Sequence, residues 1–203
     1  MRLRTLAIAG ATAVLLMGQA IAAFAQPQHD APAPSMTGPA RSATAKYHSL
    51  SVAKKAGYSI LADTAGITCI ADPQMGGAMG VHYANGDLVK DPAIDSAHPE
   101  ALVYAPDRHG KLQLAALEYV VIKADWDSNH PGLPSLGVGV RTPPAPPMLF
   151  GHEFNFTDTP NRYGLPPFYS LHAWVWKNNP AGTFEMWNPN VHCDETGVGV
   201  TPR

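Results

Sequence analysis

One strand-like run carries a carboxylate where nothing around it is polar. In KLQLAALEYVVIK, residues 111–123, alternation puts Leu112, Leu114, Ala116, Glu118, Val120 and Ile122 on one face and Gln113, Ala115, Leu117, Tyr119 and Val121 on the other. Both faces are apolar, which marks a strand covered on both sides. A carboxylate there is costly unless it is paired, metal-bound or protonated. Its own strand supplies no partner, so the partner must come from elsewhere. Two histidines qualify. His82 alternates against Val81 and Tyr83, with only Gly80 and Ala84 beside it on its own side. His172 lies in YSLHAWVW, residues 169–176, on the face of Trp174 and Trp176. Two imidazoles and one carboxylate from three strands make a two-His-one-carboxylate donor set with open positions for a divalent metal ion.

Glu118 and His172 are therefore the candidate acid/base groups, and His82, Glu118 and His172 the candidate metal ligands. His48, on an N-terminal helix, and His152, in GHEF, are candidates for a further ligand or a general base. Tyr83, Trp174 and Trp176 are candidate walls for a bound small molecule. Each has a plainer reading. A buried Glu with nearby His is often a structural pair, and no HxH or HExxH spacing occurs here. Strand tryptophans are commonly core.

The elements that must position these residues follow from period and punctuation. Residues 43–56 form the one convincing helix, with Tyr47, Leu50, Ala53 and Ala56 on one face and Gly57 as its stop. After it come short period-two runs near 58–61, 67–70, 79–83 and 100–104, then the long runs 111–123 and 169–176, separated by Gly and Asp-Pro breaks. This pattern predicts an α+β domain: an antiparallel roll or small barrel with one helix packed on it. Residues 126–147, rich in Pro and Gly, read as a long loop. Asn178-Asn179-Pro180-Ala181-Gly182 and Trp187-Asn188-Pro189-Asn190 are turn signatures.

The N-terminus addresses the compartment. Arg2 and Arg4, an apolar stretch from Leu6 to Met17 and the small residues of Ala23-Phe24-Ala25 form a secretory signal ending near residue 25. The apolar stretch is too short for a comfortable membrane span. Residues 26–41 have the composition of a disordered leader, so the expected globular domain is 42–203. Without Arg2 and Arg4 the basic count falls from 14 to 12 against 16 acidic residues, about −4, which argues against nucleic acid or an anionic membrane as partner. The only two cysteines, Cys69 and Cys193, are expected to pair in an oxidising periplasmic or extracellular setting. No GxSxG elbow, phosphate-cradling glycine loop or dinucleotide fingerprint is present.

The stretches ATAKYHSLSVAKKAGY, GGAMGVHYANG, PEALVYAPDRHGKLQLAALEYVV and LHAWVWKNNPAGTFEMWNPNVHC resemble a family of uncharacterised exported bacterial proteins. The resemblance covers about 43–193 and implies an exported single-domain protein, with no particular reaction. A weaker likeness is to cupin-like barrels, which hold metal with histidines and a glutamate; their clustered HxH motif is missing, so that likeness is one of fold only. Three expectations stand side by side: a metal or small-molecule pocket capable of a lyase- or oxygenase-type step, a non-catalytic ligand-binding protein, and a structural envelope protein whose Glu–His cluster satisfies its core.

Overall fold

The period-two runs assemble into one antiparallel sheet. The computed structural model describes residues 36–132 and 142–193 of the 203. The expected signal peptide, most of the leader and the middle of the Pro/Gly loop lie outside the described residues. In chain order the strands are β1 (Ser59–Ile60), β2 (Cys69–Asp72), β3 (Gly77–Ala84), β4 (Ala101–Pro106), β5 (Leu112–Ile122), β6 (Met148–Leu149), β7 (His152–Glu153), β8 (Asn155–Thr157) and β9 (Phe168–Ala173). Seven of them form a sheet in the order β1-β3-β4-β5-β9-β8, with β2 also paired to β3; β6 and β7 form a separate hairpin. The class is the expected α+β. Among the described strands the pairing path runs from β1 to β8 without closing into a barrel.

The helix expected over 43–56 is broken. It consists of α1 (Gly38–Thr44), a 3-10 turn (Ala45–His48) and α2 (Leu50–Lys55). Ser49, extended at φ −86° and ψ 104°, separates the last two and stands as the N-cap of α2. Coiling begins at Gly38, inside the segment whose composition predicts no structure; Pro39 suits a helix's first turn, and Ala40 is fully buried. Two further helices interrupt expected loops: α3 (Gly86–Val89) and α4 (Lys123–Asn129), the latter continuing directly from β5.

Each face of the sheet has its own core. On one face Val81, Tyr83, Leu102, Tyr104, Leu117, Tyr119, Leu171 and Ala173 pack with Ala40, Tyr47 and Ala53 of the helical segment. Tyrosines join this layer to its surroundings: Tyr104 Oη donates to the Tyr47 carbonyl (2.6 Å), Tyr58 Oη to Pro99 (2.7 Å) and Tyr119 Oη to Ser96 (2.8 Å). Each large ring is thus buried with its polar tip satisfied. The other face holds a smaller cluster of Ala78, Val103, Ala105, Ala115, Ala116, Trp174 and Val191.

A bulge corrects the face assignment along β5. Val103 pairs with Ala116 but Tyr104 pairs with Leu114, so Ala115 is the extra residue. The slip returns Leu114 to the helix-covered core while Ala116 remains in the smaller cluster. Strict alternation would have placed Leu112 and Leu114 beside Glu118. A second irregularity, between Ile70 and Ala71 opposite β3, accompanies Gly80. Gly80 has φ +103°, and a Cβ there would lie 2.6 Å from the Tyr104 carbonyl oxygen, so only glycine fits two residues before His82.

The C-terminal segment is tied back as its turn signatures predict. Asn179 Oδ1 accepts from Ala181 N–H and Asn188 Oδ1 from Asn190 N–H, while Asn188 exchanges backbone hydrogen bonds with Ala78. The Cys69–Cys193 disulfide then pins the segment to β2 across a sequence separation of 124. In the chain-entropy view a bridge over so long a loop stabilises by about 4–5 kcal/mol. A Cys69→Ser/Cys193→Ser variant should lose about that much in urea melts at pH 7; a loss below about 1 kcal/mol would show that the bridge fastens only the tail.

Candidate metal centre

The register brings the three predicted ligands together. Glu118 on β5 stands directly opposite His172 on β9. On the other side of β5, β4 presents only Ala101 opposite Glu118 and Val103 opposite Ala116. His82 on β3 pairs with Val103, so these short side chains leave its ring free to reach across β4. The result is a compact triangle. His82 Nε2 lies 3.3 Å from Glu118 Oε2 and 3.4 Å from His172 Nε2, and His172 Nδ1 lies 3.6 Å from Glu118 Oε1. The two rings are perpendicular, at 89°. Both histidine side chains are 1% exposed and that of Glu118 is 13% exposed. One ligand atom from each residue lies within 4.8 Å of the others, close enough to hold a metal ion.

Two of these separations can be set against the spacing of ligands around one ion. Two ligands about 2.0–2.1 Å from one ion stand roughly 3.3–3.4 Å apart at a tetrahedral angle, against about 2.9 Å at an octahedral right angle. The two edges at His82 Nε2, 3.3 and 3.4 Å, are close to the tetrahedral spacing, while the His172–Glu118 approach runs through Nδ1.

The protonation states favour metal. Burial pushes His82 down to about 4, opposed by Glu118 and reinforced by His172 and Arg162. Burial alone pushes His172 down to about 4. Both imidazoles are therefore neutral at pH 7, the form that ligates. Burial raises Glu118, while His82 and a hydrogen bond with Ser170 hold it back. Neither imidazole Nδ1 has a hydrogen-bond partner of good geometry. Two neutral nitrogens and a carboxylate oxygen thus converge on one dry point, which a cation would neutralise.

The remaining candidates sit elsewhere. His48 is exposed, its ring 4.3 Å from Trp176, and His152 is exposed on β7, 4.0 Å from the Phe184 ring. Neither joins the triangle. Tyr83 points into the helix-covered core against Tyr104, as period two requires of a neighbour of His82. Trp174 stays on the His172 side with its ring stacked at 6.3 Å, but its indole N–H donates to the Glu185 carbonyl, so it packs as core. Trp176 departs from the expected face. β9 ends at Ala173, a turn from Val175 N–H to the Ala173 carbonyl redirects the chain, and Trp176 Nε1 reaches Thr44 Oγ1 under the Arg41 guanidinium.

Several buried or paired polar groups escape a reading by strand period. Ser170, buried on β9 two residues before His172, is the exception: alternation alone places it beside Glu118. Asp63, Arg162 and Tyr163 come from loops, where no period operates. Arg162 Nη2 bonds Asp63 Oδ2 at 3.1 Å, and Tyr163 is raised by burial and by Glu118. Glu100 is a second buried carboxylate, 1% exposed, whose Oε2 accepts the Val120 N–H at 2.9 Å.

The chain matches no protein-family model, no curated protein sequence and no solved structure.

Glu100 and the histidines load the pH dependence in opposite directions. Burial pushes Glu100 from an ordinary 4.5 up to about 8. Its contribution is fully present below pH 4.5 and is lost as pH rises through 8, because the folded state then holds a proton that the unfolded state has released. His82 and His172, shifted down, give a contribution lost as pH falls from 6.5 toward 4. Glu100→Gln keeps an acceptor for Val120 and removes the first effect. Urea melts at about pH 5, 6.5 and 8 should show the variant gaining on the native protein as pH rises. Parallel profiles would mean that Glu100 is ionised in the fold.

Proposed function

We propose that this chain is an exported metal-binding domain. It holds one divalent transition-metal ion, zinc by preference, on His82 Nε2, His172 Nε2 and the Glu118 carboxylate. The observation that carries the reading is the triangle itself: ligand separations of 3.3 and 3.4 Å, with both imidazoles kept by burial in their ligating form. The donor set suits zinc, and three protein ligands leave a fourth position for water or a small molecule. Ser170 hydrogen-bonds the carboxylate and orients it, as outer groups do around metal ligands. Export belongs to the same reading. Residues 1–25 carry the marks of a secretory signal, and a disulfide suits an oxidising compartment.

The rival is a purely structural Glu–His cluster. The direct approach of Glu118 to both rings favours it, and a hydrogen bond between the two Nε2 atoms serves it as well; what it lacks is one partner common to all three converging side chains. Elemental analysis separates the two. Protein exported and purified without a His-tag or chelator should carry close to one equivalent of metal, and His82→Ala, His172→Ala and Glu118→Gln should each lose it. At a thousand times Kd the ion should also stabilise the fold by about 4 kcal/mol over chelator-treated protein. Metal-free protein that takes up no zinc, copper, iron or manganese from excess would leave the structural cluster as the explanation. Glu118→Gln with full stoichiometry would remove Glu118 from the ligand set.

A further inference from the structure

A cleft of about 820 Å³ opens beside the turn that joins β4 to β5. Sites for small molecules enclose about 300–1,000 Å³, so the size is that of a binding pocket. None of the three proposed metal ligands lines it. Its inner part is apolar: Cys69 and Val81, both buried in the helix-covered core, and half-buried Leu112 reach its surface. Its walls are fixed from three directions. The turn is stiffened by Asp107, whose Oδ1 accepts from His109 N–H (2.8 Å) and Lys111 N–H (3.0 Å). Lys177 follows β9 and is held by the carbonyl of the bulged Ala115, which accepts both Trp176 N–H (3.1 Å) and Lys177 N–H (3.0 Å). Residues 190–193 are held by the Asn188 turn and by the disulfide to Cys69.

We infer that this cleft is a binding site for a small organic anion, its anionic head on Arg108 and Lys177 and its apolar body on Val81, Leu112 and the disulfide. Charge selects the head. The whole chain has a formal net charge of −2, yet Arg108, His109, Lys177 and His192 line this one cleft against Asp107 alone. Elsewhere Lys90, Lys123 and Arg162 each face a carboxylate. Among the described residues Arg108 and Lys177 have no such partner; Arg108 Nε donates only to the neighbouring His109 Nε2, at 2.9 Å. Asp107 is committed to its own turn through Oδ1. A guanidinium and an ammonium on one wall are donors suited to a carboxylate, sulfonate or phosphate group. The inner surface selects the body. A bare inorganic anion would leave Val81, Leu112 and the disulfide uncovered, and an apolar body removes that area from water. No Trp, Tyr or Phe lines the cleft among the described residues, so a neutral sugar or base has no ring to stack on.

The test uses the exported protein with its disulfide intact and a fluorescent organic anion, anilinonaphthalene sulfonate, beside its uncharged relative N-phenylnaphthylamine. The sulfonate should bind saturably, close to one equivalent, with or without chelator, and more weakly as salt is raised. Arg108→Gln and Lys177→Gln should each weaken the sulfonate by about tenfold or more, the worth of a charge-assisted hydrogen bond, and leave the response to the uncharged dye unchanged. Amide NMR shifts on the native protein locate the site without any variant: saturating sulfonate should move residues 107–112, 177 and 190–193. Four results would each overturn the inference: no saturable binding, equal loss of both dyes in the variants, sulfonate affinity unchanged in both variants, or shifts that map to another face. So would binding that appears only in Asp194→Asn/Glu195→Gln. These two acids follow Cys193 directly in sequence, and that result would assign the cleft to the chain's own carboxylates.

Discussion

Glu118 brings an ionisable group into a strand that cannot solvate it, and the neighbouring structure is arranged around that cost. A carboxylate withdrawn from water loses several kcal/mol of hydration, and recovers it only from a counter-charge or from hydrogen bonds of good geometry. β5 lies between β4 and β9, so both its edges are already paired to backbone. The compensation must come from side chains on the same face. His172 approaches it from the facing register position and His82 from two strands away, both as neutral rings, which leaves room for a cation to complete the compensation. Alanine and valine at positions 101 and 103 are what make the longer reach possible, and the glycine at position 80 permits the bent backbone that precedes His82.

The sheet separates two kinds of core. The helix-covered face is built of large rings and aliphatic chains, whose burial supplies most of the folding drive at roughly 25 cal/mol per Å² of apolar surface. The opposite face is built of alanine, valine and one tryptophan, and it contributes less hydrophobic stabilisation. That thinner face is where the polar triangle sits. Stability concentrated on one side leaves the other free to hold groups that folding alone would not select. The disulfide and the asparagine-bonded turns fasten the segment that includes Val191 over this second face.

Much of this arrangement is legible in the sequence, and the exceptions have identifiable causes. A carboxylate in an otherwise apolar strand singles out Glu118 from residue order alone, and alternation identifies the partners His82 and His172. Pairing of the only two cysteines and the Asn-rich turns follow from equally local rules. Other features do not follow. The bulge at Ala115 is a tertiary accommodation with no local marker in KLQLAALEYVVIK, so strict alternation puts Leu112 and Leu114 on the wrong face. The end of β9 at Ala173 lies in an unbroken apolar run, so Trp176 reads as a neighbour of His172 when it packs under Arg41. His48 and His152 share only a residue type with the true triangle, and nothing in sequence spacing says that they face solvent. Arg162 and Asp63 escape a reading by period for a related reason: their pairing joins two loops 99 residues apart.

The central claim is that the converging atoms of His82, Glu118 and His172 enclose an ion. Anomalous diffraction at the zinc absorption edge, from crystals of zinc-loaded protein, tests it most directly. The account predicts one anomalous peak among these three side chains, about 2.0–2.2 Å from each ligand atom and with near-tetrahedral angles. A peak located elsewhere, or none there at full zinc loading with Glu118 still lying against the two rings, would contradict it and reduce the triangle to a structural cluster.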